Sequence, residues 1–188
     1  MIYLSKGVVC KGSAEDKLHI AHGNAVLKLD STESEIWQNG RFEISEIPET
    51  DKYKNVFRSL YNKGLLEYEH GDDDVLRYRL LSKCICCPAR TKGLQKPISK
   101  NEKYLLKWLA GAGLRLSTAE LIYLVENEIK PVSSLLSSEN RQSLVETIYT
   151  KDNIYDNILE TQMEKAKCRD DVVKTLLSLL KKKRIVVL

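Results

Sequence analysis

The stretch NVFRSLYNKGLLEYEHGDDDVLRYRLL, Asn55 to Leu81, decides how the rest of the chain is read. Tyr53, Val56, Phe57, Leu60 and Tyr61 recur at steps of three and four, which gives a helix one apolar face. Gly64 then supplies a permissive stop. Lys54, Asn55, Arg58, Asn62 and Lys63 fall largely on the opposite, wet side. LLEYE and VLRYRLL alternate as strands, and HGDDD between them has the length of a hairpin loop. The expectation is a helix followed by a two-stranded ribbon with an acidic tip.

The other end of the chain repeats the first half of that plan. In DVVKTLLSLLKKKRIVVL, aligning Val172 to Leu177 with Val56 to Tyr61 matches apolar, apolar, basic, hydroxyl, apolar, apolar. Both segments bury one helical face and deliver the chain into a strand. The second copy stops directly after its strand, so it lacks a returning strand unless a partner supplies one.

Upstream, the runs Ile2 to Cys10, Leu18 to His22 and Ala25 to Leu29 are strand signals separated by the turns KGSAED and HGN. Thr32 with Glu35 forms a capping box that should open a helix toward Gly40. Pro48 limits EISEIPET to a short helical piece, and Asp51 can cap the helix KYKNVFRSLYNKG. Downstream, PARTKGLQKP from Pro88 to Pro97 has no apolar periodicity and reads as a connector. SKNE at Ser99 and STAE at Ser117 are further capping boxes, the first opening a helix that runs to the GAG at Gly111. Helices are also expected over TAELIYLVENEI, stopped by Pro131, over ENRQSLVETIY and over NIYDNILETQMEKA. A last helix is DDVVKTLLSLLKKK, with Asp170 and Asp171 at its positive end and lysines at its negative end.

The 188 residues suffice for one substantial domain or two small ones. With 43% hydrophobic and 30% charged residues the composition is that of a soluble globular protein. No apolar run approaches the roughly 20 residues that cross a bilayer, and MIYLSKGVVCKG lacks the features of a secretory signal. A cytoplasmic location without membrane contact is expected. The formal net charge is +4, with 15 basic against 14 acidic residues in 1–99 and 15 against 12 in 100–188. That asymmetry permits a nucleic-acid partner without demanding one.

The order of elements, above all the helix ending in NKGLLEYE and the ribbon after it, resembles the winged helix-turn-helix superfamily of bacterial transcription regulators. It covers residues 25–85 well and 100–188 loosely. The fold class expected is therefore α+β: a winged-helix-like domain with extra strands over 1–87, a linker over 88–99, and a mostly helical domain of winged-helix character over 100–188. The resemblance implies double-stranded DNA as partner and transcriptional control as the work, with a homodimer doubling the contact surface. Carried over by position, Lys52, Lys54, Asn55, Arg58, Asn62 and Lys63 would face DNA in the first half. Arg169, Lys174, Thr175, Ser178, Lys181, Lys182, Lys183 and Arg184 would do so in the second. The wing tip departs from the pattern, because Asp72, Asp73 and Asp74 stand where phosphate requires cations. The chain is also similar to the leader-peptide recognition domains of ribosomal-peptide modification systems, in its early strands, in LKLDSTESEIW and in NKGLLE. That similarity implies a non-catalytic peptide-binding or protein-interaction adaptor, which takes an extended peptide as an added strand against a helix.

No nucleotide loop, nucleophile elbow or dinucleotide fingerprint is present, so no catalytic residue and no cofactor is expected. The five cysteines are read as thiols, three of them in KCICCP. Their C-x-C-C spacing does not match the paired C-x-x-C of structural zinc, and small buried hydrophobes are the plain alternative. KKKR, Lys181 to Arg184, has an equally plain reading as a solvated helix end.

Overall fold

VLRYRLL, Val75 to Leu81, expected as the returning strand of a ribbon, falls in a helix, Asp74–Ser82. The Asp73 carboxylate accepts from the Leu76 N–H at 2.8 Å and Asp74 lies in the first turn, so the acidic run satisfies orphan donors and the positive end of a dipole. Asp72 holds Arg77 through two bonds of 2.6 and 2.9 Å. VLRYRLL alternates in sequence, yet Tyr78, Leu81 and Cys84 also recur at helical steps of three, and all three are buried. The HGDDD turn is therefore a helix cap and not the tip of a wing.

The computed structural model describes residues 1–14, 17–47, 50–89, 96–112, 116–130, 142–143, 145–146, 148 and 155–188. In chain order the strands are β1 (Ile2–Ser5), β2 (Val8–Val9), β3 (His19–His22), β4 (Ala25–Lys28), β5 (Ser45–Glu46), β6 (Leu66–Glu69), β7 (Cys86–Pro88) and β8 (Ile185–Val187). The helices are α1 (Ser31–Asn39), α2 (Asp51–Asn62), α3 (Asp74–Ser82), α4 (Lys100–Ala112), α5 (Thr118–Glu126), α6 (Tyr155–Thr161) and α7 (Met163–Lys181). The architecture is mixed α and β with small antiparallel sheets, ordered β5-β1-β6, β2-β3-β4 and β7-β8. Among the described residues no helix is long and apolar enough to cross a membrane.

The partner that β6 lacks downstream comes from the start of the chain. β1 runs antiparallel to it, from Ile2 opposite Glu69 to Ser5 opposite Leu66. All four β1 residues are buried, and their alternation serves two cores. Tyr3 joins Trp37, Phe57, Leu60 and Leu66 beneath α1 and α2. Ile2 and Leu4 join Tyr78, Leu105, Trp108 and Leu176 among the later helices. Gly40 is required where α1 meets this strand, because a Cβ there would sit 2.5 Å from the Tyr3 ring.

β8 likewise finds its partner within the chain. It pairs with β7, Cys86 opposite Val187 and Pro88 opposite Ile185, and the position between 87 and 88 lies inside this pairing. Tyr78, Leu80, Leu81, Cys84 and Cys86 pack in the same core as α4, α5 and α7. The final helix also differs from expectation. It starts after Gln162 and runs unbroken to Lys181, so Asp170 and Asp171 lie in mid-helix. There Asp170 accepts from the buried Arg169 at 2.8 Å.

Two expected capping boxes, Ser99 with Glu102 and Ser117 with Glu120, are present. The box on α1 is two residues earlier than expected, Asp30 with Glu33. The first helix of the decisive stretch begins after Thr50 instead of Asp51, without a side-chain cap. Most of the connector at 90–95, Pro131, and most of the helices expected over ENRQSLVETIY and the start of NIYDN lie outside the described residues.

Two stability measurements check the helical reading of 74–82. Asp73→Ala should lower the unfolding free energy by about 1 kcal/mol through the lost cap, and Tyr78→Ala by about 3–5 kcal/mol. Urea titration followed by circular dichroism would read both, and an Asp73→Ala variant as stable as wild type would contradict the cap.

Candidate functional site

Two of the three buried glutamates among the described residues, Glu33 and Glu102, each tie two helices together. Glu33, in the first turn of α1, is 6% exposed. It accepts from its own cap residue through the Asp30 N–H and, from the last turn of α2, through Ser59 Oγ at 2.8 Å and Lys63 Nζ. Glu102, in the first turn of α4, is 3% exposed. It accepts from the Ser99 N–H at 2.6 Å and, from the last turn of α7, from Ser178 Oγ at 2.8 Å and Lys182 Nζ at 2.7 and 2.8 Å.

The same turn follows each lock. Gly64 at φ +71° and Lys183 at φ +57° take the left-handed conformation. The next residues, Leu65 and Arg184, donate to the carbonyls of Leu60 and Leu179 at 2.9 and 2.8 Å. Ser59 thus corresponds to Ser178 and Lys63 to Lys182, a register three residues away from the sequence match of Val56 with Val172. Each half is one module: a leading strand, a helix with a buried first-turn glutamate, a later helix that delivers serine and lysine to it, and a strand that pairs back on the leading one.

The fourteen candidate contact residues fall in different settings, three of them in these locks. Lys63, Ser178 and Lys182, expected as surface contacts, are bonded to the buried glutamates, because a buried carboxylate must be compensated. Arg169 is 4% exposed and donates to the Leu159 carbonyl at 2.6 Å, so it holds α6 against α7. Thr175 Oγ1 donates to the Asp171 carbonyl at 2.7 Å. Lys174 lies 3.6 Å from Asp74, Lys181 3.1 Å from Glu43, and Arg184 donates to the Lys96 carbonyl at 3.2 Å. Lys183 holds its ammonium over the Phe42 ring. Lys54, Asn55, Arg58 and Asn62 remain together on the exposed side of α2. The side chain of Lys52 lies outside the described residues.

Beside that face runs a groove of about 410 Å3. Phe57, Arg58, Tyr61 and Asn62 of α2 form one wall, and Tyr68 of β6 with His70 forms the other. Where the walls meet, edge-to-face rings form the floor, Phe57 to Tyr68 and Tyr68 to Tyr61, with centroids 5.6 and 5.1 Å apart, and the buried Tyr3 backs Phe57 at 5.6 Å. His70 continues the chain at 5.6 Å from Tyr68. No carboxylate is among the residues described as lining it, and Arg58 stands exposed at its rim. The sequence counted Tyr61 with the core face, yet it is 44% exposed. The signal was the width of the stripe: five apolar positions exceed what one packed face requires.

The three thiols of KCICCP are buried rather than poised. Burial pushes the Cys84 thiol up to about 12 and that of Cys87 above its ordinary value, which leaves them protonated and unreactive. Among the described residues no group of three His, Cys, Asp or Glu is placed to hold a metal ion. Comparison of the chain with protein-family models, with curated proteins and with solved structures finds no match.

The second lock carries a pH prediction. Burial alone would raise Glu102, but the hydrogen bonds from Lys182, Ser99 and Ser178 outweigh it and hold the carboxyl at about 2, against an ordinary 4.5. A depressed folded-state value means the contribution is complete above the ordinary value and is lost as pH falls toward 2. Glu102→Gln should cost about 1.5–3 kcal/mol at neutral pH, through the weakened charge-assisted bonds from Lys182 and Ser178, and should flatten stability between pH 4.5 and 2. Denaturation midpoints across that range check it; an unchanged pH profile would count against the lock.

Proposed function

We propose that the protein is a non-catalytic adaptor that receives a peptide segment of a partner in the groove along α2. The observation that carries this reading is the ring-floored groove with Arg58 on its rim. Tyrosine and arginine are the types that anchor protein interfaces, because they bury large area while retaining a polar handle. A cation at the rim and no carboxylate in the lining favour a segment with an apolar or aromatic side chain next to an acidic one. Both modules are read as winged-helix variants in which the closing strand precedes the module instead of following it.

One observation favours the second reading, a DNA-binding regulator: Asn55, Arg58 and Asn62 share the exposed side of α2, and asparagine and arginine are suited to base edges. Against it stands the supply of cations. Duplex affinity grows with each phosphate neutralised, and Lys63, Arg169 and Lys182 are bonded to Glu33, the Leu159 carbonyl and Glu102. Lys174 and Lys181 pair with carboxylates. An apolar floor also gives nothing to a phosphate backbone.

Selection from a displayed library of random peptides, followed by fluorescence anisotropy, tests the proposal. Acidic segments with an aromatic residue should emerge, and Tyr61→Ala and Arg58→Glu should each weaken them about tenfold or more. Duplex DNA of mixed sequence should bind negligibly. Binding to duplex that falls steeply with salt, with no peptide selected, would instead establish the DNA reading.

A further inference from the structure

A second cleft, of about 400 Å3, opens where the turn after α1 and β2 meet the β7-β8 pair. Val8, Arg41, Phe42, Cys87, Lys183 and Val186 line it, with no aspartate or glutamate among the lining side chains. Arg41 follows directly on the Gly40 that the Tyr3 ring requires, so its backbone is fixed against β1. Its guanidinium carbon stands 5.1 Å from the Trp37 ring centre and 4.5 Å from that of Phe42. Its Nε is buried and has no hydrogen-bond partner among the described residues. Burial pulls the Arg41 pKa below its ordinary value.

Lys183 approaches the same ring, with its ammonium 5.1 Å from the Phe42 centre. Its backbone is in the left-handed region at φ +57°, where the corresponding residue of the first module is Gly64. Glycine takes that conformation without strain, whereas a side chain is disfavoured there. A residue that served only the turn would be better as glycine, so the lysine has its use in the cleft. The neighbouring carboxylate of Glu43 is turned to Lys181, at 3.1 Å. Two cations drawn to one ring repel each other, and cation–π attraction offsets only part of that. A buried guanidinium nitrogen without a partner adds a donor that an oxyanion would satisfy.

We propose that this cleft binds a small organic anion: an apolar body carrying a carboxylate or phosphate monoester. The anionic head sits between Arg41 and Lys183. The body lies along Val8, Phe42 and Val186, beside the neutral thiol of Cys87. Because the lining joins the first module to the strand pair that closes the second, an occupant ties the two together and raises the stability of the whole chain. The site is separate from the groove along α2 and does not depend on the adaptor reading.

The test uses the full chain with phenyl phosphate, benzoate, inorganic phosphate and benzylamine as probes, read by tryptophan fluorescence and thermal denaturation. Phenyl phosphate or benzoate should saturate and raise Tm, and which of the two binds more tightly identifies the head group. Inorganic phosphate, lacking the body, should bind about tenfold more weakly, and benzylamine not at all. Lys183→Asn keeps the left-handed turn and should weaken the anion about tenfold. Arg41→Gln should do the same, while Tyr61→Ala should bind it as wild type does. Absence of saturable binding by either anion, equal binding by the Lys183→Asn variant, or equal binding of benzylamine would overturn the proposal.

Discussion

The architecture turns on a carboxylate placed in the first turn of a helix and sealed from water. Such a group is costly to bury unless several donors converge on it, and here the donors come from two places: the helix's own cap and the last turn of a helix far along the chain. Glu33 is met by Ser59 and Lys63, Glu102 by Ser178 and Lys182. The pairing fixes where each later helix must end. It therefore fixes where the left-handed residue falls and the direction in which the following strand leaves. β6 and β8 reach their partners because the two ion pairs aim them.

Much of this was readable from residue types, and the failures have physical causes. The capping boxes at Ser99 and Ser117 announced α4 and α5, since a hydroxyl three residues before a glutamate has one strongly favoured use. VLRYRLL misled because its apolar residues satisfy two periods at once, and the deciding feature, Asp73 capping Leu76, was read as a loop tip. The partner of β6 was beyond local pattern altogether: Ile2–Ser5 lies more than 60 positions upstream, and no turn connects the two. The repeat was visible, but its register was not. Apolar matches slide by three or four positions at little cost, while Ser59 and Lys63 align with Ser178 and Lys182 only once the glutamates are known.

The exposed residues were harder for a different reason. Helical periodicity separates wet positions from dry ones, but it does not tell a lysine in solvent from one that reaches a buried carboxylate. Lys63 and Lys182 lie at such wet positions, and each reaches back to a buried glutamate. Arg58 and Asn62 stay exposed, and among the described residues no acidic side chain lines the groove beside them. Tyr61 and Tyr68 escaped notice since an aromatic ring at a helical or strand position is ordinarily core. Only the meeting of α2 with β6 turns them into a floor.

β1 shows its two sides to different neighbours, Tyr3 to one set of helices and Ile2 with Leu4 to another. Neither set can be melted while the other stays intact without laying bare half of a fully buried strand. The consequence is thermodynamic coupling: heat or denaturant should dismantle both halves in a single cooperative step, and a fragment cut anywhere between them would inherit an unfinished interior.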